Sequence, residues 1–346
     1  MSLSDGFRRR WVQFQVRRSS TVGGDSTRVV VAEQLDIGCS AERAIAFVGD
    51  VASVPLMTRT QPMVAFTVPG TPAGQPGERQ VVVRLRADGA MIGTLREVVE
   101  LVPGRRLVTR ELSGEPQMVR TFTAEPLGES ACRLRYERAI DAPRRELRLV
   151  RAQAPSAVRY TLALVAHHAG GAPLREPEPE SRELRRHREQ LEQQTWAHAQ
   201  MPLSQSTVHS SADVAAVADR VWEAILDVGN DRLASADPDA VSFTVPGTPS
   251  GAIGELRCVV RHLSHRALVG SFAETVAVEP GRALVLRNRS TSHSTSTTFT
   301  VVPTTAGTRV DARMEVEDHD ASGRSRSSYR EILDAYLTGI RRLVEA

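Results

Sequence analysis

Four charged residues stand out by their spacing. Glu97 and Arg110 lie on either side of Pro103-Gly104, and Glu274 and Arg287 lie on either side of Pro280-Gly281. If each Pro-Gly is the centre of a two-residue turn, Glu97 faces Arg110, Val99 faces Val108 and Leu95 faces Leu112. In the second hairpin Glu274 then faces Arg287, Val276 faces Val285 and Phe272 faces Arg289. Each acid–base pair would share one side of its hairpin with apolar residues. We expect that side to be concave and covered by a helix. Two readings follow. The pair could be an ion pair that satisfies itself inside a curved sheet. Or Arg110 or Arg287 could hold a ligand enolate or carboxylate while its glutamate orients it or moves a proton.

The preceding strand adds a histidine. Val81, Val83 and Leu85 alternate in one copy of the pattern, and Cys258, Val260 and His262 take the same places in the other. An inward histidine near Glu274 and Arg287 could exchange protons near neutral pH, or could simply be a hydrogen-bonded core or rim residue. Glu274, Arg287 and His262 are thus the candidate catalytic set. Glu97, Arg110, Phe272, Arg289 and Tyr336 are the candidate ligand contacts. Residues 290–298 (Ser-Thr-Ser-His-Ser-Thr-Ser-Thr-Thr) read as a hydroxyl-rich strand, either a solvated edge or a wall for an oxygen-rich ligand. Other chemistry is excluded. All 44 basic Lys+Arg residues are arginines, which removes lysine Schiff-base and phosphate-loop chemistry. Cys39, Cys132 and Cys258 are far apart and form no zinc or disulfide pattern. There is no nucleophile elbow or dinucleotide fingerprint.

The elements that must position these residues occur twice. Phe66-Thr67-Val68-Pro69-Gly70-Thr71-Pro72 recurs unchanged as Phe243-Thr244-Val245-Pro246-Gly247-Thr248-Pro249, an offset of 177. The same offset aligns Gly77-Glu78 with Gly254-Glu255, Glu97 with Glu274, Pro103-Gly104-Arg105 with Pro280-Gly281-Arg282, Arg110 with Arg287 and Phe122 with Phe299. So long a period marks a duplicated domain, not a solenoid.

Each copy begins with a strand (residues 28–35; 206–210). A short helix follows (41–50; 213–227), with Val217, Val221 and Trp222 on one face of the second. Alternating segments between Pro/Gly turns suggest an antiparallel meander. A helix closes each copy. In the second it carries the stripe Tyr329, Ile332, Leu333, Tyr336, Leu337, Ile340, Leu343 and Val344. In the first, Pro143 suits the opening turn and Pro155 should kink the helix. The organisation is therefore a basic arm (1–27), a first domain (28–169), a linker and connecting helix (170–205) and a second domain (206–346). The fold class is α+β: two tandem helix-grip domains, each a curved antiparallel sheet around a long C-terminal helix, with room for a ligand between them.

Specific segments carry a family resemblance: Ala46-Phe47-Val48-Gly49-Asp50-Val51, Gly77-Glu78, residues 97–106 and Gly307-Thr308-Arg309-Val310. With these the chain resembles the START-like (SRPBCC, Bet v1-like) superfamily, whose bacterial members include polyketide cyclases/dehydrases, coenzyme-binding proteins and lipid carriers. Two fused copies resemble the di-domain aromatase/cyclases. The resemblance implies ring closure or dehydration of a hydrophobic, oxygenated polyketide-like intermediate, free or tethered to a carrier protein, with no cofactor. The alternative is a non-catalytic small-molecule or lipid carrier. The net charge of +3, with no concentrated basic face, argues against nucleic acid. The absence of a long apolar run argues against membrane insertion. A reducing, cytoplasmic location is the expectation.

Overall fold

In a computed structural model, the described residues are 26–57, 63–85, 91–112, 117–143, 147–174, 185–186, 204–235, 237, 239–262, 268–289, 293–318 and 324–346. The expected basic arm and connecting helix fall almost wholly outside them.

The first copy begins with β1 (Ser26–Ile37) and α1 (Ala41–Gly49), which is capped by the Ser40 hydroxyl accepting from Arg43 N–H at 3.2 Å. The meander then runs through β2 (Met63–Thr67), β3 (Arg79–Leu85), β4 (Met91–Val102), β5 (Arg106–Glu111), β6 (Gln117–Pro126) and β7 (Cys132–Pro143), and α2 (Leu147–Gly170) closes it. The second copy repeats this order: β8 (Ser204–Val214), α3 (Ala218–Leu226), a 3₁₀ turn (Val228–Ala234), β9 (Val241–Thr244), β10 (Leu256–His262), β11 (Leu268–Glu279), β12 (Ala283–Arg289), β13 (His293–Thr304), β14 (Gly307–Asp318) and α4 (Arg324–Glu345). Each sheet has seven antiparallel strands, ordered β1-β7-β6-β5-β4-β3-β2 and β8-β14-β13-β12-β11-β10-β9. By packing, the chain divides into two compact units. One comprises Met1–Thr58, Pro72–Glu78 and Arg96–Arg185; the other comprises Arg59–Thr71, Arg79–Leu95 and Arg186–Ala346.

The repeated heptapeptide closes an edge turn. Thr71 Oγ1 donates to Val68 O at 2.7 Å and accepts from Arg79 N at 3.2 Å. Thr248 does the same between Val245 O (2.8 Å) and Leu256 N (3.2 Å). Gly70 and Gly247 supply the positive φ the turn needs, +82° and +86°. The identity of the two motifs therefore follows from one shared turn.

In the second copy α4 lays Leu333, Tyr336, Leu337, Ile340 and Val344 on Leu284, Phe299, Val301, Val310 and Met314, with Val221, Trp222 and Ile225 of α3 filling the end. Each such apolar side chain contributes roughly 1.5–3 kcal/mol on burial. In the first copy α2 packs Leu147, Val150 and Ala154 on Met118, Ile140 and Ala142.

Several local expectations need correction. Asp213 and Val214 end β8, where Val214 pairs with Thr308; the helix starts only at Ala218. Val217 is its N-cap and 70% exposed, and Leu343 lies on the solvent side of α4. Pro143 ends β7 and does not open α2, and Pro155 lies inside an unbroken helix. The hairpin turns hold three residues, because Val102 pairs with Arg106 and Glu279 with Ala283. The extra residue is absorbed by a bulge, so Val98 pairs with Thr109 but Glu100 with Val108. Val99 therefore does not face Val108; it is the bulged residue and lies exposed. Val276 occupies the same place, between Thr275 and Ala277.

Candidate functional site

The two predicted acid–base pairs form. Arg110 Nη2 donates to Glu97 Oε2 at 2.6 Å, and Arg287 Nη2 to Glu274 Oε2 at 2.7 Å. Both, however, lie on the opposite sheet face from the closing helix. In the second copy Phe299 meets Tyr336 of α4 at 5.0 Å between ring centroids, so Phe299 faces the helix. Its cross-strand partner Leu284 shares that face, as do Leu286 and, opposite it, Thr275. Arg287 and Glu274 alternate with these and point outward, with 37% and 38% of their side-chain surface exposed. In the first copy Met118 and Ile140 touch α2. Register then places Arg120, Phe122, Leu107, Thr109, Glu111 and Arg96 on the helix side, and Arg110 and Glu97 on the other.

The side expected to be concave is therefore the one turned away from the closing helix. The outward side is apolar for a separate reason. Cys258 and Phe272 face each other there and are buried, with Phe243 opposite Cys258 on the edge strand. The Phe243 ring meets Phe66 edge-to-face at 5.7 Å, both rings belonging to the second compact unit. Of the other candidates, Tyr336 is on the helix side and buried. His262 and Arg289 lie opposite Leu268 and Ser294 in the backbone ladder, and their side chains fall outside the description. The structure thus unites Glu97 with Arg110 and Glu274 with Arg287, and places neither pair with Tyr336.

The helix-facing surface of the second copy carries a charge cluster that the sequence reading missed. Arg257 is fully buried. Its Nε donates to Glu255 Oε2 at 3.1 Å, its Nη1 to Asp231 Oδ1 at 3.3 Å, and its Nη2 to the Leu226 carbonyl at 3.0 Å. Glu255 also accepts from Thr244 Oγ1 at 2.7 Å. Burial pushes the Asp231 carboxyl up to about 7, against the pull of Arg257 and with a push from Glu255 and Asp227. Tyr336 is raised as well, first by burial and then by Asp231. This network ties the end of α3 and the 3₁₀ turn to β10, which makes it a brace. Apolar side chains share that face with the buried hydroxyls of Thr295 and Thr297 and with the polar Asn288, Arg261, His293 and Asp318. The hydroxyl-rich strand therefore does put some of its side chains inside.

The first copy is different. Arg96, Glu111, Thr109 and Arg120 crowd together on its helix-facing side. Arg96 lies opposite Glu111, Thr109 opposite Arg120, and Arg120 also opposite Arg138. Arg120 Nη2 reaches Glu111 Oε2 at 3.0 Å. Burial, and then the charge of Arg120, pull the Arg96 guanidinium down to about 10. Burial opposes the charge of Arg120 too, but Glu111 and Tyr136 outweigh it and raise its pKa. Two buried polar atoms of this group, Arg120 Nη1 and Thr109 Oγ1, have no hydrogen-bond partner. Beside them Phe122 and Tyr136 stack with centroids 4.2 Å apart. The arrangement offers positive charge and free hydrogen-bonding capacity next to an aromatic wall.

Two open cavities lie elsewhere. One, of about 590 Å³, lies between the 3₁₀ turn and α4, near Arg232, Asp334 and Arg342. The other, of about 630 Å³, is lined by polar residues of β8, β13 and β14. Neither includes Glu274 or Arg287. Among the described residues no three His, Cys, Asp or Glu side chains gather as metal ligands, and no helix is long and apolar enough to cross a membrane.

Fold and interior together define a tandem helix-grip protein, each copy a curved sheet closed by one long helix. Residues 205–345 match the family described as polyketide cyclase / dehydrase and lipid transport. No curated protein sequence matches the chain. Among solved structures, the di-domain ARO/CYC BexL from the BE-7585A biosynthetic pathway is 14% identical, over 92% of this chain and 99% of its own, with a TM-score of 0.34. The di-domain ARO/CYC StfQ from the steffimycin biosynthetic pathway is 14% identical over 91% and 96%, with a TM-score of 0.33. Norcoclaurine synthase from Thalictrum flavum, in complex with dopamine and hydroxybenzaldehyde, is 14% identical over 41% of this chain and 88% of its own, with a TM-score of 0.34.

Proposed function

We propose that the protein takes up a hydrophobic, oxygenated polyketide-like molecule in natural-product biosynthesis and promotes its ring closure or dehydration without a cofactor. The family match of the second copy supports the ligand class. The observation that carries the reading is the pair of buried, unpartnered atoms on the helix side of the first sheet, Arg120 Nη1 and Thr109 Oγ1. A buried polar group without a partner costs on the order of 1–3 kcal/mol, and a bound oxygen would remove that cost.

In this reading Arg120 and Thr109 hold an electron-rich ligand oxygen, an enolate or a carboxylate. Arg96 adds positive potential in a water-poor setting, where it acts more strongly than in bulk. Glu111, already beside Arg120, accepts the proton from the carbon to be activated. The carbanion so formed attacks a second carbonyl of the same chain, which the stacked Phe122 and Tyr136 keep folded back, and the resulting alkoxide takes the proton back from Glu111.

A non-catalytic carrier is the second reading. It is favoured by the second copy alone, where the charges of Arg257, Glu255 and Asp231 are mutually paired. The deciding experiment offers the full chain linear poly-β-ketones, both as free acids and as thioesters, and follows ring-closed or dehydrated products by mass spectrometry. Turnover above the spontaneous rate, lost in Arg120→Gln, supports the enzyme. Tight binding with no turnover would overturn it in favour of the carrier.

A further inference from the structure

We infer that the ligand group anchored in the first copy is a carboxylate, held jointly by Arg120 and Thr109; this rests on the reading of that face as the ligand site. Three observations carry it. First, the two unpartnered atoms belong to residues directly opposite each other on β5 and β6. Cross-strand partners have Cβ atoms roughly 5 Å apart. A hydroxyl and a guanidinium N–H from adjacent side chains on one face can each serve one of the two oxygens of a carboxylate.

Second, the positive charge is permanent. Arg120 also stands directly opposite Arg138, and Arg96 lies close enough for its pKa to be lowered by Arg120. Like charges directly opposite on neighbouring strands oppose folding. Glu111 pairs with Arg120, and Glu78 bears on Arg96; a fixed ligand anion answers the remaining positive charge, whereas an enolate that exists only in passing does not.

Third, the duplication supplies a neutral control. At the offset of 177, Arg96, Thr109, Glu111 and Arg120 correspond to Ala273, Leu286, Asn288 and Thr297. Thr297 lies opposite Met314 where Arg120 lies opposite Arg138. The second copy folds into the same sheet without any of these charges, so the sheet does not require them. Polar atoms that stay buried without a partner on residues dispensable to the fold are explained by what they bind. A carboxylate anchor also places the protein after a step that releases an acid, a hydrolysis of an ester or thioester.

The test is calorimetric titration of the full chain with 2-naphthoate and with 2-naphthamide, which share size and aromatic area but differ in charge. Naphthoate should bind at least about tenfold more tightly, the usual range for a charge-assisted hydrogen bond. Arg120→Gln should erase that preference. Thr109→Val should weaken naphthoate binding without lowering the melting temperature, since it removes an unsatisfied buried hydroxyl. The Thr109 variant keeps the proposal falsifiable if Arg120→Gln fails to fold. Equal affinity for acid and amide, or a preference that survives both substitutions, would overturn the carboxylate anchor and leave the ligand site standing. Binding of neither probe would overturn both.

Discussion

Stability of the second copy should fall as pH rises through neutrality, and Asp231 should be the cause. Its carboxyl sits against Arg257 with only 11% of its side-chain surface exposed. Burial lifts its pKa to about 7. In the unfolded chain the same group titrates near 4, roughly the ordinary aspartate value. Between those values the folded protein keeps a proton that the unfolded protein has released. The resulting stabilisation is complete below about pH 4 and is lost as pH climbs through 7, at about 1.4 kcal/mol per pH unit. The total is on the order of 4 kcal/mol, the pull of Arg257 being already part of the shift. The assay is urea unfolding at several pH values between 5 and 8, for wild type and Asp231→Asn. Fluorescence of Trp222, buried in α3, reports on the second copy once Trp11 and Trp196 are replaced by phenylalanine. The wild-type minus variant difference should fall by about 1.4 kcal/mol per pH unit from pH 5 and level off above about pH 7. A difference that is flat across this range, or that grows with pH, would refute the argument.

Two other expectations concern the charged residues of the second copy. Arg257→Met leaves Glu255 and Asp231 buried without their cation, and should cost ~3–5 kcal/mol in chemical denaturation; a cost below that of an exposed ion pair would mean the brace carries no load. Glu274→Gln removes one half of an outward, half-exposed pair, and should cost at most about 1 kcal/mol with product formation unchanged. A large loss of turnover in Glu274→Gln would return that pair to the active machinery.

Much of the architecture was legible because it rests on short-range signals. Turn residues, alternation and the helical stripe of α4 fix the meander and the closing helix, and the 177-residue offset duplicates them. The pairings of Glu97 with Arg110 and of Glu274 with Arg287 were also legible. The nominal two-residue turn and the actual three-residue turn with a bulge give the same register beyond the bulge. Which face meets the helix was not legible. Alternation separates two faces, but it does not say what covers each. Here Cys258, Phe272 and Phe243 make the outward face apolar and buried as well. The helix-facing charges were missed for a related reason. Arg96, Glu111 and Arg120 look like solvated positions in the sequence, and only the register from Met118 and Ile140 to α2 turns them inward.

The two copies assign roles to residues by what they share and what they do not. The heptapeptide turn, the bulged hairpin and the outward Glu–Arg pair are the same in both. Features kept while the interiors diverge are explained by the scaffold they build, and the exposed pairs fit that role at small energetic worth. The interiors diverge in charge, and each in its own direction. Arg257 and Asp231 of the second copy correspond to Gln80 and Val54 of the first, whereas Arg96 and Arg120 of the first correspond to Ala273 and Thr297 of the second. The cluster in the second copy closes on itself, with three donors of Arg257 bound to two carboxylates and a backbone carbonyl. The cluster in the first does not, since Arg120 and Thr109 each keep a buried atom without a partner. A closed buried network can be understood from folding alone. An open one in a twin that could have done without it needs a ligand to complete it.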